Sequence, residues 1–205
     1  MAYVAPTDVS TGDVLTATRY NQDVVENTGV LFNRDGLVPV YKTTFSAASS
    51  VTASASVFSS TYTNYRVLVV ITAASASTSL LLRLRAGASD FTTGTHYRSQ
   101  FVVNATAGSA ASGSTTDTGF VIGQHFNGTS TYGYSVDVYG PNTANAHKAI
   151  IAHSASWDGG GAAAGTYMQL NSGRVATATQ YDSFSLVPSS GNVTGEVQVY
   201  GYAKP

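Results

Sequence analysis

The chain contains no cysteine, few charges and no long apolar run, and each shortage removes a class of function. Without cysteine there are no disulfides, no thiolate metal ligands and no cysteine nucleophile. Charged residues make up 10% of the 205 residues, against roughly 25% in ordinary soluble domains. The 10 lysines and arginines are scattered singly and the net charge is -1. Nucleic acid is therefore not an expected partner, because polyanion binding needs clustered cations to displace counterions. The longest apolar run, residues 67–71, is far too short for a membrane span. The opening MAYVAPTDVSTGD has neither the basic segment nor the apolar stretch of a secretory signal. The expectation is a chain with no membrane partner and no encoded address.

Ser, Thr, Ala and Gly fill the gap left by charge, and apolar residues alternate with them. The clearest case is residues 181–202, YDSFSLVPSSGNVTGEVQVYGY. Phe184, Leu186 and Pro188 alternate with polar partners; after Ser-Ser-Gly-Asn, Val193, Gly195, Val197 and Val199 do the same. Period-two alternation on both sides of a short Gly/Asn loop predicts a hairpin with one buried face. A lone hairpin is marginal in water, so residues 41–180 are expected to supply the sheet it closes on.

Earlier in the chain the period changes. Residues 1–12 read as an extended arm. Ala17, Tyr20, Val24, Asn27 and Leu31 then fall at spacings of three and four, one stripe of a helix. Thr16 is the candidate N-cap, Asp13 competes for that place, and Gly29 weakens the last turn. The stripe fits either a helix packed on its own domain or an anchoring and self-association helix with Asn27 setting the register. Residues 33–36, Asn-Arg-Asp-Gly, break the helix, and Pro39 opens the strand region. Residues 1–40 are thus read as arm and helix, and residues 41–205 as a β-domain.

Within that domain, strands are expected at residues 41–45, 51–58, 65–72, 80–86, 97–105, 120–124, 132–139, 146–157, 167–171 and 174–178, before the closing pair. Residues 65–72, YRVLVVIT, are apolar on both faces and predict a central strand covered on both sides. Leu80, Leu82, Leu84 and Ala86 point one way, while Leu81, Arg83 and Arg85 point the other. Residues 106–118 are small and polar and read as a flexible surface loop. Many short strands without βαβ alternation imply a mainly β fold, an antiparallel β-sandwich of jelly-roll type with a short N-terminal arm and helix.

Signals for chemistry are thin. Residues 159–165, GGGAAAG, loosely match a dinucleotide fingerprint, but a strand-like YMQL follows where a helix is required. His147 and His153 share a strand face about 20 Å apart, too far to hold one ion. No G-x-S-x-G elbow exists and no carboxylate pair is signalled. The three Asn-x-Thr sequons, at Asn104, Asn127 and Asn192, carry no weight without a secretion signal. No catalytic residue, metal or cofactor is expected, and the chain is read as no enzyme. Aromatic rings with polar tips suit sugar faces and protein interfaces. Phe126, Tyr132, Tyr134, Trp157 and Tyr167 lie near expected strand ends and are the candidate glycan contacts.

Three stretches carry a resemblance. The segment STGDVLTATRYNQDVVENTGVLFN resembles the opening of many tailed-bacteriophage virion proteins, a T-G-x-x-x-T-A-x-x-x-N-x-x-V-x-x-N pattern fitted by Thr11, Gly12, Thr16, Ala17, Asn21, Val24 and Asn27. The ending is similar to the closing strands of the same class, with Gly195, Val199, Tyr200 and Gly201 matching. Between them, YTNYRVLVVITAASASTSLLLRLRAG resembles the strand pair of those domains. The resemblance covers about half the chain. It implies a virion structural protein, a minor tail or fibre component or a head decoration protein. Such proteins are often homotrimers, held to other virion proteins by the N-terminal segment, with the β-domain outward and in reach of host surface glycans. The class has no catalytic residues to carry over. The alternative from a different class is a carbohydrate-binding module using the aromatic residues.

Overall fold

The computed structural model describes residues 16–20, 36–93, 96–104, 108–125, 128–144, 147–157 and 166–203. Among them, thirteen strands follow one helical turn, α1 (Ala17–Tyr20). The strands are β1 (Leu37–Ala48), β2 (Val51–Thr52), β3 (Asn64–Ala74), β4 (Thr78–Ala86), β5 (Ser89–Asp90), β6 (His96–Asn104) and β7 (Gly108–Asp117). After them come β8 (Phe120–His125), β9 (Tyr132–Tyr139), β10 (Lys148–Trp157), β11 (Thr166–Val175), β12 (Ser183–Pro188) and β13 (Val193–Tyr202). A large sheet runs β1-β13-β3-β9-β10-β11-β6-β7; a small one runs β2-β12-β4-β5, with β8 also paired to β4. Every strand pairing is antiparallel. The fold is mainly β and sandwich-like.

The two sheets bury their alternating faces against each other. Val67, Val69 and Ile71 of β3, Val197 and Val199 of β13, and Val136 and Val138 of β9 point inward from the large sheet. Leu80, Leu82 and Leu84 of β4, Phe120 and Ile122 of β8, and Phe184 and Leu186 of β12 meet them from the small one. Each such side chain contributes about 1.5–3 kcal/mol on leaving water. Phe58 joins the layers at one end, its ring 4.8 Å from that of Tyr65 and 5.6 Å from that of Phe184. The Tyr65 hydroxyl stays satisfied inside, donating to the Ser59 carbonyl at 2.8 Å and accepting from the Ser59 amide at 2.7 Å.

Several expectations are corrected here. The closing stretch does form two strands, but they do not pair with each other: β12 pairs with β2 and β4, whereas β13 pairs with β1 and β3. Residues 189–192 are an arch that carries the chain from one sheet to the other, with Gly191 at φ 65°. Two strands with apolar faces cover each other better face to face than edge to edge. Of the expected loop 106–118, residues 108–117 form β7 instead, an edge strand open to water on both faces, and 106 and 107 lie outside the described residues. Of residues 51–58 only Val51–Thr52 pairs as strand, and the chain then bends through Ser56 at φ 69°. β3 is central, but Arg66, Leu68 and Val70 on its second face stay half-buried, with no second layer over them among the described residues. Residues 167–178 give one strand, β11, rather than two.

Candidate functional site

The face of the large sheet turned away from the small one carries a groove, and it exists because two strand pairings slip at the same level. The β1–β13 register shifts between Phe45 and Ala48, where Ala47 takes φ 46°. The β13–β3 register shifts between Thr194 and Gly195. A Cβ at position 195 would lie 2.0 Å from the Val70 carbonyl oxygen, so only glycine lets the backbones approach this closely. Bulges of this kind re-aim neighbouring side chains. The result is a depression of about 620 Å³ walled by Thr44, Ser46, Val70, Thr72, Thr194 and Glu196, with Phe45 at its side.

The chemistry of this groove is mild. The Ala47 amide donates to Thr194 Oγ1 at 3.0 Å, and Thr72 Oγ1 donates to the Thr194 carbonyl at 3.3 Å. Glu196 is held by Lys42, 3.3 Å away, and accepts from Gln198 Nε2 at 3.1 Å. Hydroxyls beside one apolar wall, with the single carboxylate already paired, suit an uncharged hydroxylated ligand rather than acid–base chemistry.

Farther along the same face, Asp137 on β9 ties three neighbouring strands together. Arg66 of β3 donates from Nε and Nη2 to its two oxygens, both at 2.8 Å, and the Tyr202 hydroxyl of β13 donates at 2.7 Å. The Arg66 guanidinium also sits 5.7 Å from the centre of the Tyr202 ring. Burial alone would raise the Asp137 carboxyl; the hydrogen bonds from Arg66 and Tyr202 and the charges of Arg66 and His153 outweigh it and hold it below the usual carboxylate range. Hydrogen bonding to Asp137 raises the Arg66 guanidinium. Burial, then the bond to Asp137, pushes the Tyr202 phenol up to about 12. At neutral pH this is an ionised clasp. On the outer side of the small sheet, Asp90 pairs with Arg85 and accepts from Ser185 Oγ at 2.8 Å, a second fastening of the same kind.

Toward the other end of the large sheet the inward positions turn polar. Ser154 of β10 is register partner to Gln169 of β11, and Asn171 follows two residues later on the same face. All three are buried, and among the described residues Ser154 Oγ, Gln169 Oε1 and both polar atoms of the Asn171 amide have no hydrogen-bond partner. Lys148, at the start of β10, is buried too, but its ammonium donates to the carbonyls of Thr143 at 2.7 Å and Thr177 at 3.3 Å. Burial holds that ammonium below its ordinary value.

The residues singled out from sequence are placed as follows. Tyr132 and Tyr134 are 2% exposed; they are core residues of β9 and offer no ring to a ligand. The Tyr134 hydroxyl donates inward to the Gln124 carbonyl at 3.1 Å, and burial raises its phenol. Phe126 lies outside the described residues. Positions 157 and 167 come close in backbone, through the pairs Trp157↔Thr166 and Ser156↔Tyr167. Ala17 and Tyr20 belong to α1, whose Tyr20 amide donates to the Thr16 carbonyl at 2.9 Å, leaving Thr16 in the N-cap place. Tyr20 is exposed, and Val24, Asn27 and Leu31 lie outside the described residues, as does the glycine run 159–165. The groove and the Asp137 clasp had no sequence signal, because each joins residues brought together by strand pairing alone. The chain matches no protein-family model and no curated protein sequence.

Proposed function

We propose that this chain is a non-enzymatic structural component of a tailed-bacteriophage virion, a minor tail or fibre protein or a capsid decoration protein. Residues 1–40 fasten it to other virion proteins, and the β-domain, of jelly-roll type, faces outward as a passive shell in a homotrimeric or similar assembly. The observation that carries this reading is that the large sheet outruns its own cover. β7 is the outermost strand, one beyond β6 and its contacts with β8 of the small sheet, and it is open on both faces with small, mostly neutral side chains. A lone domain gains little from such an extension, while a subunit packed among copies has it covered. The motif resemblance at both ends of the chain points to the same class. Many weak copies on one particle then act through avidity. The test is deletion of residues 1–35, which end before β1. The truncated chain should fold and fail to join particles, and mass spectrometry of wild-type particles should count it as a fixed component. Normal incorporation of the truncated chain refutes the reading.

A second reading, carbohydrate binding, is favoured by the groove between β1, β13 and β3, with its hydroxyl walls and Phe45. It relocates glycan contact from the aromatic residues of β9 to this face. Thr72→Arg would fill the groove from an exposed position, and titration with neutral oligosaccharides should then lose a binding signal that the wild type shows. Absence of binding by the wild type sinks it.

A further inference from the structure

The two long edges of the large sheet are built to opposite rules. β1, at one edge, carries Pro39, Lys42, register shifts at Pro39/Tyr41 and Phe45/Ala48, and Ala47 at φ 46°. Proline, lysine and bulges are the devices that stop a strand edge from pairing with another chain. The edge strands β2 and β5 of the small sheet are two residues each, which is another such device. Over residues 108–114 β7 has none of them; its own register shift comes after that stretch, between Ser114 and Asp117. Its ladder to β6 runs unbroken from Asn104↔Gly108 to Arg98↔Ser114, and residues 108–116, GSAASGSTT, contain no proline and no charge. Its second edge pairs with no described strand.

We infer that β7 is a pairing edge, and that its partner is β7 of a second copy of this chain, joined antiparallel about a two-fold axis. The occupant follows from the edge itself. A regular row of backbone donors and acceptors is complementary to its own antiparallel image, and no side chain on residues 108–116 opposes a copy by charge or bulk. A foreign strand chosen for specificity would call for charged or large side chains on this edge, and the strand offers none. The contact is isologous, so it closes after two copies and cannot grow into a fibre. Alone it gives two chains; combined with a separate three-fold contact whose axis it meets at right angles it gives six. The inference rests on the self-association in the proposed function and names its surface, independent of attachment to a particle.

Sedimentation velocity on the full chain over a concentration series tests it. The wild type should populate an assembly whose mass halves in the double variant Ala110→Lys/Ser112→Lys, with association weakened roughly tenfold or more. Both positions are exposed, so the thermal midpoint of the β-domain should hardly move. The opposite variant, Ala110→Glu/Ser112→Glu, should behave alike, and an equimolar mixture of the two should restore the wild-type mass. Those amides of residues 108–114 that point away from β6 should exchange slowly in the wild-type assembly and fast in either variant, while the alternate ones bonded to β6 change little. Assemblies that survive both variants unchanged place the contact elsewhere and overturn the inference while leaving self-association standing. A chain monomeric at every concentration removes both. A mixture that stays dissociated overturns the self-complementary geometry.

Discussion

Beneath β4, β8 and β12, the inward residues of β13, β3 and β9 are mainly valine and isoleucine with Tyr65, Tyr132 and Tyr134 beside them, closed to water and without an unmet side-chain polar group among the described residues. On the next two strands, β10 and β11, the same inward face presents Ser154, Gln169 and Asn171 with four polar atoms unpaired among the described residues, and beyond them β7 has no covered face at all. One sheet thus holds a finished half and an unfinished half. The difference teaches where stability and where association should be sought. The finished half has the burial needed to fold by itself, while the other half has unpaired donors, acceptors and ladder positions that folding alone leaves unused.

Substitutions can break or sharpen that contrast. Leu82→Ala, in the middle of β4, should cost about 2–5 kcal/mol in denaturant unfolding, whereas Ala110→Ser in β7 should stay within about 0.5 kcal/mol. Equal costs would mean the two halves are not different in kind. A smaller effect of opposite sign is expected at Asn171→Leu: removing a buried amide with no partner should raise stability by about 1 kcal/mol. A clear loss there would show that the amide is engaged after all. Of similar size is Asp137→Asn in the clasp on the outer face, a loss of about 1 kcal/mol at neutral pH because the pair is partly solvated. The sign with pH follows from the lowered Asp137 value: its contribution is full above the unfolded carboxylate range, near about pH 4, and drains away as pH falls through the folded value. Wild type and variant should therefore converge in acid, and curves that stay parallel down to low pH would assign the clasp no electrostatic role.

The finished half was the legible half. Val193, Val197 and Val199 announced β13, and Leu80, Leu82 and Leu84 announced β4, because a strand with one wet face and one dry face must alternate. What alternation does not state is the partner, and so β12 and β13 read as a hairpin when they are opposite walls of the core. In β7 both faces are wet, nothing forces a period of two, and the strand passed for a loop. Tyr132 and Tyr134 alternate with Gly133 and Ser135 in plain sight; their position near a strand end drew attention away from that inward phase. The groove was illegible for a different reason, since it arises from a mismatch of register among β1, β3 and β13.

Placing β13 between β1 and β3 has a consequence for synthesis. The first long strand must wait for the last one: the Ala47 amide meets the Thr194 hydroxyl across 147 positions of chain. Such distant pairing slows folding, and it also makes completion a condition of it. A chain halted before residue 193 would leave β1 with no neighbour and β3 with an open edge, so such copies are rejected by their own inability to close.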